Sequence, residues 1–150
     1  MQYCLDNNLN NVLILEDDYW IEDEVSSVNT RLEEIFKIEN WDVIMLDWFL
    51  NGVLKRTKYF NDNLRTRNHK KYGFVLTSAY AVNKHFFKKL RNTFKESYDR
   101  FSDIYNHKLH RKYACDNYWI KIQKDNWFII YPKIGLQSKN LYSDIAFNRN

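Results

Sequence analysis

Three consecutive acids, Glu16-Asp17-Asp18, directly follow the apolar run Val12-Leu13-Ile14-Leu15. In open α/β sheets ligands bind beyond the carboxyl ends of the strands. A carboxylate cluster at such an end is a hard-oxygen set suited to Mg²⁺ or Mn²⁺. Left bare, the charges repel one another, and a divalent cation relieves that repulsion. Helix capping accounts for the same residues differently, because Asp18, Glu22, Asp23 and Glu24 stand where a helix N-terminus favours negative charge. Asp116 is the second candidate. It opens a short helix late in the chain, either as a carboxylate facing a cleft, able to act as a general base on a hydroxyl, or as an ordinary N-cap.

Other constellations are weaker. His107-x-x-His110 has the spacing of two ligands on one helical turn, but Lys108, Arg111 and Lys112 surround it and disfavour a metal. His69 and His85 are isolated and expected to face solvent. Basic residues interleaved with aromatics, among them Arg65, Arg67, Lys70, Tyr72, Tyr105 and Arg111, could meet phosphates or nucleic acid. They equally suit a solvated basic face. No G-x-x-x-x-G-K-[ST], G-x-G-x-x-G or G-x-S-x-G motif occurs, which argues against Walker-type ATPases, simple dehydrogenases and α/β-hydrolases.

The elements that would carry these residues are legible. Val12–Leu15 reads as a buried strand. Val25, Val28, Leu32, Ile35 and Phe36 share one helical face over 22–37. Trp41-Asp-Val-Ile-Met-Leu46 reads as a second buried strand, and strand, helix and strand make a βαβ unit with a parallel sheet. Residues 51–71 read as a long polar loop. Strand-like residues follow in Phe74-Val75-Leu76 and Ala79–Val82. Asn83 then caps a helix with Phe86, Phe87, Leu90 and Phe94 inward. Residues 95–114 resist assignment. Asp116 caps a short helix with Trp119 and Ile122 inward, Trp127–Tyr131 is the last strand, and 135–150 reads as irregular.

The length of 150 residues fits a single domain over 1–150 with a sizeable core. Hydrophobic residues at 45% exclude a disordered chain, and 3 Gly with 1 Pro exclude collagen-like architecture. No apolar run is long enough for a transmembrane helix, and no secretory leader is visible, so a cytoplasmic location is expected. Cys4 and Cys115 are too far apart in sequence for a zinc motif and read as free thiols. The net charge of +4 hides a polarity. Residues 1–50 carry 2 Lys/Arg against 12 Asp/Glu, and residues 51–150 carry 21 against 7. The halves are net −10 and +14, able to attract each other or to hold a cation and an anion separately.

In order, Val12-Leu-Ile-Leu-Glu-Asp-Asp18, Trp41-Asp-Val-Ile-Met-Leu46, Thr77-Ser-Ala-Tyr-Ala-Val82, Asp116, Pro132 and Ser143-Asp-Ile145 resemble glycosyltransferase family 25. That family includes lipooligosaccharide and procollagen galactosyltransferases. The resemblance runs from about Met1 to Ile145. It implies a partial GT-A-like, Rossmann-like α/β three-layer sandwich with a mostly parallel sheet. It also implies a UDP-sugar donor, with galactose as the expected sugar, a glycan or collagen-like acceptor, and Mn²⁺ or Mg²⁺. The family's acidic motif falls on Glu16, Asp17 and Asp18 as metal ligands, Asp18 foremost. Its later acid falls on Asp116, the acceptor-side catalytic residue. Its G-T-x-A-Y segment falls on Thr77, Ser78, Ala79 and Tyr80, expected to line the cleft and bind the donor. Asp144 matches an acid near the end of the family's domain.

The chain departs from the family in three places. It starts just before the acidic-motif strand, whereas the family has further upstream strands that cradle the uridine. Exposed strand edges and a second chain or a homo-oligomer to cover them are therefore expected. No histidine follows His110, so the late histidine ligand of many GT-A enzymes has no counterpart; either Asp144 or Gln137 substitutes, or the metal site is weak. Asp47 stands where a small residue is expected. The alternative reading is a non-catalytic relative serving as a binding or interaction module. A nucleic-acid-binding role rests on charge alone, and the acidic first third opposes it.

Overall fold

The computed structural model describes residues 1–50, 57–67, 73–102 and 107–138. Among these, a six-stranded sheet forms the centre, in the spatial order β1(Asn11–Leu15), β8(Ala79–Asn83), β3(Val43–Met45), β9(Trp127–Ile130), β6(Leu64–Arg67), β5(Thr57–Tyr59). Two short ribbons flank it, β2(Tyr19–Ile21) with β10(Gly135–Gln137) and β4(Phe49–Leu50) with β7(Phe74–Val75). Helices α1(Gln2–Asp6) and α3(Phe87–Ser102) pack on one face through Cys4, Phe87 and Leu90, which join Val43, Met45, Val82 and Trp127. Helix α2(Val25–Phe36) covers the other face, where Val28 and Ile35 meet Ile44, Ala79, Ala81 and Phe128. The helix–sheet–helix layering follows from strands such as β3 and β9, apolar at every position and buried on both faces.

The sheet is mixed, which corrects the mostly parallel expectation. Only β3 and β9 pair in parallel; β1–β8, β8–β3, β9–β6 and β6–β5 are antiparallel. β1, α2 and β3 do run as strand, helix and strand in one direction, but β8 inserts antiparallel between the two strands. Period and burial reveal a strand's existence, not its neighbour. Among the described residues β1 is consequently an edge strand rather than a buried one. Val12 and Ile14 face the core while Leu13 and Leu15 are 42% and 49% exposed.

Three further expectations change. Within the expected loop 51–71, β5 and β6 form a hairpin, with Leu64 and Thr66 inward and Arg65 and Arg67 half-exposed. A threonine at an inward position, bonded through Oγ1 to the Trp127 carbonyl at 2.9 Å, hides the alternation. Residues 95–102 continue α3, and α4(His107–Tyr113) follows. The expected irregular tail contains β10. Gly135 makes that pairing possible: a Cβ there would lie 2.3 Å from the Trp20 carbonyl oxygen. Asn83 does precede a helical segment, the 3-10 turn Lys84–Phe86 leading into α3, though without a side-chain cap bond. His69, Lys70, Tyr72, Tyr105 and Asp144 lie outside the described residues, as does the side chain of His107. His85 is half-exposed and shares a 2.7 Å hydrogen bond with Asp42. Among the described residues no helix is long and apolar enough to cross a membrane.

Candidate functional site

Because β8 runs antiparallel between β1 and β3, its entrance lies at the exits of both. The register pairs Leu15 with Ala79 and Met45 with Tyr80. Glu16 beyond β1, Asp47 beyond β3, and Thr77 and Ser78 before β8 are therefore neighbours. Main-chain bonds seal the junction: the Glu16 amide donates to the Ser78 carbonyl at 2.7 Å, and the Leu46 and Asp47 amides donate to the Ala79 carbonyl at 2.9 and 3.2 Å. Each hydroxyl then reaches one acid. Thr77 Oγ1 donates to Glu16 Oε1 at 2.7 Å, and Ser78 Oγ donates to Asp47 Oδ2 at 2.8 Å. Immediately before them Leu76 has φ +89°, left-handed backbone that costs a branched residue about 1–3 kcal/mol and clusters at functional sites.

A cleft of about 640 Å³ opens at this junction. Glu16, Leu76, Thr77 and Ser78 form one wall, α3 and the segment Tyr113–Asp116 form the other, and Gln137 closes an end. Its size falls within the about 300–1,000 Å³ of small-molecule sites. Among the described residues its ionisable lining is Glu16, Asp116, Cys115 and two tyrosines, with no cation. Asp116 sits in the first turn of α5(Cys115–Tyr118), where its Oδ1 accepts from Asn117 Nδ2 at 3.0 Å. The cap position belongs to Ala114, so the expected capping role of Asp116 is not realised. The Cys115 thiol is pushed above its ordinary range, chiefly by burial and then by the Asp116 carboxylate.

The three consecutive acids diverge. Glu16 enters the cleft and Asp17 is exposed in the turn to β2. Asp18 turns to β10, its Oδ2 accepting from Gln137 Nε2 at 2.6 Å and its carbonyl from the Ser138 amide at 2.7 Å. None of them caps α2, because β2 intervenes and Glu24 holds the cap position. Among the described residues no three His, Cys, Asp or Glu side chains gather into a metal cage. Yet Asp18 Oδ1 is buried with no hydrogen-bond partner, an orphaned carboxylate oxygen. One or two carboxylates are the usual protein share of a Mg²⁺-like ion that completes its shell with phosphate oxygens and water. The free Oδ1 of Asp18 could supply one such carboxylate.

Tyr80 and Ala79 do not line the cleft. Tyr80 is 5% exposed, packs edge-on against Trp119 at 5.3 Å, and its hydroxyl is pushed up by burial first and then by Cys115 and Glu16. The central strand β8 is buried over Ala79–Val82, so residues beyond Ser78 belong to the core.

Asp47 is the residue whose part sequence reasoning missed. Its carboxylate is fully buried and accepts from the Trp48 amide, Ser78 Oγ, Lys133 Nζ and the Gln137 amide at 2.8–3.1 Å. It ties β3, the β8 entrance and β10 together, and thereby holds Gln137 against Asp18. An acid after a buried apolar strand was the available signal.

Residues 1–119 match the model of a known family, described as Glycosyltransferase family 25 (LPS biosynthesis protein). No curated protein and no solved structure matches the chain.

Proposed function

The chain belongs to glycosyltransferase family 25, and from that premise we propose that it transfers a sugar, galactose in the first instance, from a UDP-sugar to a hydroxyl of a glycan or collagen-like acceptor. The observation that carries the reading is the cleft itself, which draws Glu16, Thr77, Ser78 and Asp116 from distant stretches of chain to the ends of β1 and β3. The layering of helices on both faces of the sheet supports a partial GT-A-type arrangement.

Asp116 is the base. Its carboxylate lines the cleft, has one bonded oxygen and one without a described side-chain partner, and accepts the proton of the acceptor hydroxyl as that oxygen attacks. Thr77 fixes Glu16 through its hydroxyl, and Gln137 fixes Asp18 at Oδ2, leaving Oδ1 for a ligand. Asp18 would contribute the protein's carboxylate to a Mn²⁺ or Mg²⁺ ion. When bound, that ion supplies charge neutralisation for the diphosphate leaving group.

A second reading, a non-catalytic relative serving as a binding module, is favoured by one observation: among the described residues no cation lines the cleft to hold a diphosphate. Thermal unfolding with Mn²⁺ and UDP-galactose separates the two. Ligand binding to the folded state raises Tm. The transferase reading expects a rise with both ligands that Asp18→Ala removes, and release of UDP that Asp116→Asn suppresses by about 10²-fold or more. No shift and no UDP release leave the binding module in possession.

A further inference from the structure

Helix α3 carries an apolar stripe that outruns the core. Phe87 and Leu90 are buried against the sheet, but the stripe continues through Phe94 to Phe101, and Tyr98 lies between them on the same side. Over this last stretch the helix no longer covers the sheet; it forms the wall of the cleft opposite Glu16 and Thr77. Tyr98 is 72% exposed and Phe101 42%. Neighbouring aromatics left in water around a concave site form a contiguous apolar patch, which marks a binding surface more than lone exposed residues do.

Two of these rings, Phe94 and Phe101, are braced from behind. Phe94 stacks on buried Trp119 at 5.9 Å and 29°. Phe101 lies against the His110 ring at 4.7 Å and 31°. Ser97 Oγ donates to the Tyr113 carbonyl at 2.7 Å, locking α3 to the end of α4. The wall is thus ordered before any ligand arrives, which lowers the entropy cost of binding.

We propose that Tyr98 and Phe101 form a stacking subsite for a neutral pyranose ring, the sugar of the acceptor. The inference rests on the transferase reading for the acceptor role, and on the cleft alone for sugar binding. An aromatic face carries negative charge density, and the axial C–H groups on one side of a pyranose are weakly positive, so the two stack. The cleft supplies what the ring's hydroxyls need: the Glu16 carboxylate with the Thr77 and Ser78 hydroxyls on the opposite wall, and the Asp116 carboxylate beside the aromatic rings. A nucleotide base also stacks on aromatics, but it brings a diphosphate into a cleft whose charged groups are both carboxylates. A neutral polyhydroxylated ring meets no such repulsion. Asp116 follows Tyr113 by three residues on the same wall, so a ring on this subsite presents its hydroxyls to the proposed base.

Titration of the full chain with methyl β-galactoside, methyl β-glucoside and methyl α-mannoside, followed by saturation-transfer NMR without nucleotide or metal, tests this. The expected result is binding of at least one glycoside, weakened about three- to tenfold by Tyr98→Ala and by Phe101→Ala and retained by Tyr98→Phe. UDP binding with Mn²⁺ should be equal in all four proteins. Tyr98 is exposed, so its variants keep the wild-type Tm. No glycoside binding, equal affinities across the variants, or loss of UDP binding in the alanine variants each overturns the subsite. Tyr98-dependent glycoside binding in a chain that binds neither UDP nor Mn²⁺ would keep the subsite and remove the transferase.

Discussion

At the scale of single residues, the site depends on carboxylates whose roles differ with their surroundings. Asp47 is fully buried and spends both oxygens on partners from three elements. Asp47→Ala strands a lysine, a serine and two amides, and should cost about 3 kcal/mol in urea denaturation, the low end for a broken buried pair because Lys133 keeps access to water. Asp116 is half-buried and acts on its neighbour. Its charge helps hold the Cys115 thiol protonated, so Asp116→Asn lowers that thiol's pKa and increases the thiolate present near about pH 8. Iodoacetamide should then alkylate Cys115 faster in the variant, with the difference fading at higher pH as both thiols ionise. An unchanged rate would mean that Asp116 does not reach the sulfur electrostatically. Cys4 is buried and should stay slow in both.

At the scale of elements, strands were legible where their residues were apolar throughout. Val43–Met45 and Trp127–Ile130 stand out because both faces are buried. The β5–β6 hairpin does not, since Thr57 and Thr66 take inward positions and arginines and a lysine take most of the rest. β10 is three residues that pair only because Gly135 admits the Trp20 carbonyl, a fact of spatial approach that no periodicity contains. The acids after β1 were legible as a cluster at a strand end, but their divergence was not, because it follows from β10 drawing Asp18 aside. Pairing order was equally hidden, and with it the edge position of β1. Its exposed Leu13 and Leu15, with no Lys or Pro to discourage pairing, make it the place to test for pairing with another copy of the chain. Leu13→Lys should leave stability within about 0.5 kcal/mol and shift sedimentation toward the smaller species. A monomer in both proteins would show that the edge stays unused.

At the scale of the whole molecule, the buried Asp47 forms an ion pair with Lys133 that joins the acidic first third to the basic remainder. Alkali probes a different global property. Tyr19 and Tyr80 both have hydroxyls pushed up, by burial above all. An unfolded tyrosine releases its proton near about pH 10, whereas these retain theirs in the folded chain. Above that pH the unfolded state holds fewer protons than the native one, so stability falls as pH rises. Urea midpoints should drop between about pH 9 and about pH 11, and Tyr80→Phe should flatten the decline. A flat wild-type profile would mean these hydroxyls ionise freely in the native state.

The insertion of β8 between β1 and β3 reaches further than strand order. Thr77 and Ser78 lead directly into a strand clasped on both sides, so they have little slack of their own. A slip of one residue along either neighbour would turn both hydroxyls away from their acids at once and bring Tyr80 out of the interior. The pocket therefore has no half-assembled version: it exists whenever the middle of the protein is folded, and a molecule seated in it is clamped to the buried centre of the sheet.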